Sequence, residues 1–340
     1  MEKQNFYDLN FDQLKNFLID KAEVDGSKAK MRSQQMFNAV YKKNIKSFDE
    51  LTTFGLELRE KIKNLISLDK PKIIDIQKSK DGTIKFLLEL KDKRNVETVL
   101  IPDKTQSRYT ICLSVSVGCY LSCEFCATAQ ISKKLVRNLT PGEIISQIIL
   151  CKDYIDDWST QKLITNQVLM GEGSPFLNLD SVKIAIDNSK NKDGLEYGRT
   201  RITVSTVGVG IKKDDVDAIE WAAKELDVYL AWSLHSSVPK HRSEIMPIND
   251  KYSIVSFVWS TVFSLYVFSI TSFIFGWAGV VMGHIGLIIA VYITFKFFHK
   301  RQEQPISVFQ SGNFNPAKIF AVFFVIFFIF IFTKGIDVLT

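Results

Sequence analysis

The sequence predicts an α/β body built on a parallel sheet, preceded by a small helical module and a short β section and followed by transmembrane helices. Three observations predict it. Strand-like and helix-like segments alternate between residues 110 and 234, the pattern of βαβ units. The first seventy residues carry apolar side chains at helical spacing. Charge then almost vanishes: residues 253–340 carry only Lys296, Lys300, Arg301, Glu303, Lys318, Lys334 and Asp337, and hold 17 of the 26 Phe. The expected organisation is therefore 1–70, 71–107, 108–252 and 253–340.

Phe11, Leu14, Phe17 and Leu18 share one helical face behind Asn10, a good N-cap residue. Met31, Met36, Phe37, Val40 and Tyr41 make a second apolar face, accompanied by Lys28, Lys30, Arg32, Lys42, Lys43 and Lys46. That basic set is either the solvated side of an amphipathic helix pair or a surface that follows a phosphate backbone. Pro71 ends the helical pattern. Ile73–Ile76 and Ile84–Leu90 read as strands joined by an Asp81-Gly82 turn, and Val96–Pro102 closes the β section. Thr110–Val117 predicts the first parallel strand. Thr140, Pro141 and Glu143 stand at the N-cap, N1 and N3 positions of a helix. Strand Leu163–Met170, helix Leu179–Asp187, strand Arg201–Thr206, helix Lys212–Glu225 and strand Val228–Leu234 follow, which makes four parallel strands.

Between Lys251 and Lys296 no residue is charged, apart from the titratable His284. At about 20 residues per bilayer crossing, this run is long enough for two helices, with Gly276, Gly279, Gly283 and Gly286 at the turn. A third apolar run, Ile319–Thr333, is at the short limit. Lys296, Lys300, Arg301 and Lys318 lie between the second and third runs, and the positive-inside rule places them in the cytoplasm. The expectation is a cytoplasmic body tethered to the cytoplasmic membrane through residues 253–340. The net charge of +6 divides about equally between body and tail. Such a body is too mildly basic for charge alone to establish nucleic-acid binding. Full-length disorder, a collagen-like chain and a purely soluble globule are excluded. Met1–Asn10 is polar and lacks an apolar h-region, so no secretory signal is expected, nor a disulfide framework among five Cys.

Cys119, Cys123 and Cys126 carry the chemistry. Their C-x3-C-x2-C spacing follows an apolar strand ending in Val117-Gly118. Three thiolates on one short loop hold three irons of a [4Fe–4S] cluster and leave the fourth iron open. Phe125, just before the last thiol, would shield such a cluster from water. Structural zinc is the rival reading, but it takes four protein ligands at wider pair spacing. No His lies nearby in sequence, and His235 would have to arrive through folding.

The segment from Ser116 to Gln130 (SVGCYLSCEFCATAQ) resembles the cluster loop of the RlmN/Cfr-type radical S-adenosylmethionine (SAM) RNA adenine methyltransferases. The resemblance continues through Asn95–Pro102, Arg137–Gly142, Gly171–Asn178, Arg201–Gly208, and Ser233–His235 with Ile245–Lys251, and covers about residues 1–252. It implies a partial (βα) radical-SAM barrel, truncated here after about four strands. It implies a [4Fe–4S] cluster and SAM as cofactors, and 23S rRNA and tRNA as partners. Residue by residue, it makes Cys119, Cys123 and Cys126 the cluster ligands. Glu97 becomes the proton acceptor when the adduct at adenine C2 collapses. Gly173, Ser174, Ser205, Ser233, Leu234 and His235 fall at SAM-holding positions. Cys112 matches a cysteine that pairs with a methyl-carrying cysteine.

Two departures stand out. The family has Gly-Glu-Pro where this chain has Gly173-Ser174-Pro175, so the carboxylate that meets the SAM amino group is missing. Glu172 is close in the chain, but at a strand end it is expected to point elsewhere. The family's methyl-accepting cysteine is also missing, because no Cys follows Cys151. The expectation is an RlmN-like methyltransferase by descent that is catalytically incomplete. The rivals are a non-catalytic, membrane-tethered iron–sulfur and RNA-binding protein, or a chimeric or frameshifted reading frame.

Overall fold

Asn10 opens helix α1 (Phe11–Asp20) with a reciprocal capping box: its side chain accepts from Gln13 N, and the Gln13 side chain accepts from Asn10 N. Helices α2 (Gly26–Phe37) and α3 (Leu56–Leu65) complete the N-terminal module. Its core is aromatic. Phe6, Phe37 and Tyr41 are buried, with ring centroids 5.2–5.6 Å apart. Met31, expected on the apolar face, is exposed instead, because the helix turns Ala29, Met36 and Phe37 inward. The computed structural model describes residues 3–131, 134–159, 161–208, 212–213 and 216–251. The described residues all fall within one compact unit, which ends at Ile254. The helices expected across 253–340 lie outside the described residues. Among the described residues, no helix is long and apolar enough to cross a membrane.

The central sheet has seven strands: β1 (Lys72–Lys78), β2 (Ile84–Glu89), β3 (Asn95–Pro102), β4 (Tyr109–Cys112), β5 (Ile164–Leu169), β6 (Ile202–Thr206) and β7 (Tyr229–Trp232). They lie side by side in chain order. Strands β1 to β4 are antiparallel neighbours, with Gly82 at φ +87° in the first turn, and β4 to β7 run parallel. The antiparallel section and the four parallel strands are thus one mixed sheet. The strand expected over Thr110–Val117 leaves this sheet at Cys112. Its last residues, Ser116–Val117, pair with Arg137–Asn138 in a separate ribbon.

Helix α4 (Pro141–Ile155) starts as the sequence predicts, with Thr140 and Glu143 in a capping box and Pro141 in the first turn. It is buried nearly all round, through Ile144, Ile145, Ile148, Ile149 and Cys151, with Phe6–Asp8 of the N-terminal module packed against it. The module grips both ends. Asp8 Oδ1 accepts from Gly142 N at 2.7 Å. At the far end Asp153 collects Asn44, Lys46 and Lys70 of the module at 2.7–3.1 Å, together with the Trp158 indole. Helix α5 (Leu179–Lys190) packs beside α4. Helix α6 covers only Ala218–Glu225, and the short strands Lys212–Lys213 and Val216–Asp217 stand where the sequence predicts its first turns. Helix α7 (Pro239–Ile245) follows β7.

Candidate active site

Parallel strands leave their C-terminal ends open to ligands, and the predicted site segments gather there. After β4 the chain passes beneath the loop that follows β5. Gly171 N donates to Leu113 O, Glu172 N donates to Ser114 Oγ, and Val115 N and Ser116 N both donate to Glu172 O, at 2.8–3.2 Å. Two glycines permit this lacing. A Cβ on Gly171 would stand 2.8 Å from the Leu113 carbonyl. Gly173 has φ +89°, and a Cβ there would overlap Ser116 Oγ. Replacing Gly173 by Ala is therefore expected to cost about 2–4 kcal/mol, from left-handed strain plus overpacking. That lowers the melting temperature by roughly 5–15 °C. A thermal melt followed by circular dichroism checks it, and an unchanged midpoint would mean that the loop relaxes around the added methyl.

Gly118, at φ +74°, then turns the chain into the cysteine loop. Cys119 and Cys123 are buried and Cys126 is half-buried. Cys126 N donates to Cys123 O, and Glu124 N donates to Ile245 O at the end of α7, so the loop is pinned to that helix. Burial raises the Cys119 thiol, and Cys126 and Glu172 add to it. Burial, then the charges of Cys119 and Cys126, pushes the Cys123 thiol up to about 11. Three soft sulfur donors on one short loop are the donor set that a [4Fe–4S] cluster takes, so the residues fit the group. Among the described residues, no group of three or more His, Cys, Asp or Glu is assembled around a single metal ion.

Register places the other predicted residues. Val99 pairs with Cys112, Cys112 with Val168, and Val168 with Thr203. Paired residues share a face and alternate residues return to it, so Glu97, Cys112 and Ser205 lie on one face of the sheet. Glu97 is half-exposed and forms an ion pair with Lys85 at 2.9 Å. Cys112 is partly buried, and burial raises its thiol. Ser205 Oγ donates to Leu169 O at 2.8 Å. Ser233 N donates to Thr206 O as β7 ends. Leu234 is exposed, and His235 sits at φ +53° with its ring 3.9 Å from that of Phe125. The Phe125–His235 stack joins the cysteine loop to the loop after β7. Burial, then the Arg242 charge, lowers the His235 pKa.

Ser174 is buried and its hydroxyl has no partner. Glu172 Oε1 accepts from Gly118 N at 3.0 Å, just before the cysteine loop. Burial raises its carboxyl, and the charge of Glu97 adds to this. Two more residues had no sequence signature. Asn178 Nδ2 donates to Val115 O and Leu139 O, and Arg242 ties together the loops after β6 and β7. The basic residues of the N-terminal module divide. Arg32, Lys42 and Lys46 are committed to Thr53 O, Glu196 and Asp153, whereas Lys28, Lys30 and Lys43 face solvent.

No family model matches the chain. Curated relatives do. It is 37% identical over 239 residues to "Dual-specificity RNA methyltransferase RlmN" of Rhizorhabdus wittichii, covering 69% of this chain and 57% of the relative. The protein of the same name from Zymomonas mobilis is 39% identical over 234 residues, covering 68% and 57%. That of Oleidesulfovibrio alaskensis is 36% identical over 250 residues, covering 74% and 66%. The chain thus spans less than two thirds of the length of these relatives. Among solved structures, a radical SAM methyltransferase from Sphaerobacter thermophilus superposes with a TM-score of 0.63 at 30% identity, covering 74% of this chain and 69% of that one.

Proposed function

Because the chain belongs to the radical SAM methyltransferase family, we propose that its body is the cofactor-holding part of an RlmN-like enzyme acting on adenine C2 of 23S rRNA and tRNA. The observation that carries this reading is the gathering of the three thiols, Glu172 and the loop after β7 at the open ends of four parallel strands, with Glu97 and Cys112 on one sheet face. Cys119, Cys123 and Cys126 hold the irons. When bound, the cluster supplies the electron for reductive cleavage of SAM. Glu172 takes the ammonium of SAM in place of the missing carboxylate at Ser174. Gly173 lets the backbone approach, and Ser205, Ser233, Leu234 and His235 border the same cofactor. The Phe125–His235 stack keeps water from the thiols. Glu97, steadied by Lys85, accepts the proton from adenine C2. Lys28, Lys30 and Lys43 of residues 1–70 meet RNA phosphates, and residues 71–107 extend the platform of 108–252.

Equilibrium dialysis with labelled SAM tests this reading. One SAM per cluster-loaded chain is expected. Glu172→Gln should weaken binding by about 10–100-fold, the worth of a charged hydrogen bond. No SAM bound to the loaded chain would overturn the proposal.

A second reading rests on a sequence fact: residues 152–340 contain no Cys. On this reading the polypeptide keeps the cluster and RNA surfaces but does not complete methyl transfer, as a natural tethered protein or a joined reading frame. Residues 253–340 hold the cytoplasmic body to the membrane. The support is the uncharged run between Lys251 and Lys296. The full chain is expected to sediment with membranes and to need detergent for release, whereas a chain ending at Lys251 stays in the supernatant. Recovery of the full chain as a detergent-free monomer would refute the tether.

A further inference from the structure

The largest fully buried side chain among the described residues is a cation. Arg242 of α7 is 1% exposed. Four of its five N–H donors meet neutral acceptors: Nε on Leu234 O at 3.0 Å, Nη1 on Asn249 Oδ1 at 2.6 Å, and Nη2 on Val207 O at 2.9 Å and Ser233 O at 3.3 Å. The guanidinium also lies 5.8 Å from the Trp232 ring. Among the described residues, no carboxylate forms an ion pair with it. A buried charge without a counter-ion is costly, and hydrogen bonds to carbonyls repay only part of that cost. The missing anion has to come from elsewhere.

The surroundings say where. Helix α7 carries Arg242 and, three residues on, the Ile245 carbonyl that holds Glu124 N of the cysteine loop. The loop after β7, which Arg242 grips through Ser233 and Leu234, stacks His235 on Phe125 of the cysteine loop. The guanidinium is thus built into the frame that encloses the thiols.

We infer that Arg242 is the fixed counter-cation of the cysteine loop, and that its charge raises the reduction potential of the cluster held there. The inference rests on the cluster reading above. An added electron makes the loaded site more negative, so a buried cation nearby favours the reduced form. Arg242 acts through this field and is a positioning residue.

The test is a potentiometric titration, followed by electron paramagnetic resonance, of the full chain after anaerobic reconstitution with iron and sulfide. Arg242→Gln removes the charge but keeps hydrogen-bonding atoms. Arg242→Lys keeps the charge but loses most of the hydrogen bonds. Asn249→Asp leaves the arginine in place and supplies the carboxylate it lacks, so it serves if the Gln variant does not fold. The Gln and Asp variants should each show a more negative midpoint, with the reduced-to-oxidised ratio at a fixed potential falling by about tenfold. The Lys variant should stay near the parent. Unchanged midpoints in the loaded Gln or Asp variants would overturn the inference. So would equal shifts in the Lys and Gln variants, because the hydrogen bonds and not the charge would then set the potential. A parent chain that takes up no cluster would overturn both this inference and the reading beneath it.

Discussion

Replacing any one of Cys119, Cys123 or Cys126 by Ala is expected to abolish cluster uptake. Reconstituted without oxygen, the parent chain should bind about four irons and four sulfides. Each single variant should fall to background in iron and sulfide assays and lose the visible absorption. The effect is all-or-none because a cluster with one open iron has three protein anchors, and two do not hold it. No other thiol is placed to take over. Cys151 is fully buried within α4, and Cys112 is fixed in β4 between Val99 and Val168. Glu172 is near Cys119, but its carboxylate is a hard oxygen donor already engaged with Gly118 N. Zinc bound instead, with no iron spectrum, would replace the cluster reading with a structural metal site.

Incubated with SAM, a reductant and RNA, the 340-residue polypeptide is expected to yield no 2-methyladenosine. At most it should cleave SAM slowly, without coupling to methyl transfer. The resemblance calls for a cysteine that carries the methyl group, and the nucleophile must be a thiolate, because hydroxyls of Ser or Thr are far weaker near neutral pH. Outside the loop only two thiols remain. Burial pushes the Cys151 thiol far above its usual range, with a hydrogen bond to Thr98 opposing, and no solvent reaches it. Burial also raises Cys112, and its backbone is held by strands on both sides. Mass spectrometry of nucleosides from the treated RNA reads the outcome. Methylated adenosine above a control lacking all three loop cysteines would show that another group carries the methyl.

Local chemistry made much of the fold legible. Asn10 with Gln13, and Thr140 with Pro141 and Glu143, mark helix starts within four residues, and both stand where expected. The four parallel strands follow from alternation and spacing, which are likewise local. Legibility fails where distant backbone decides. The first strand breaks after Cys112 because the loop after β5 competes for the backbone of residues 113–116. The antiparallel strands join the parallel ones through pairing of β3 with β4, a partnership that alternation alone does not specify. At the site, the cysteine spacing announced itself. Arg242 did not, because nothing in its own neighbourhood distinguishes a buried arginine from a solvated one. The direction of Glu172 is likewise set by distant backbone, because its carboxylate accepts from Gly118 N, 54 residues earlier.

The double grip on α4 has a consequence for how a large ligand would be chosen. Asp8 holds one end of the helix and the Asn44, Lys46 and Lys70 cluster around Asp153 holds the other, while Gln147 in between exchanges two hydrogen bonds of 2.9 Å with the backbone of Ser114. Ser114 is five residues before Cys119. The helix therefore acts as a ruler, with the N-terminal module on one side and the strand-end loops on the other. Were Lys28, Lys30 and Lys43 to grip a polymer, as proposed above, the length of α4 would fix how far along that polymer the strand-end loops meet it.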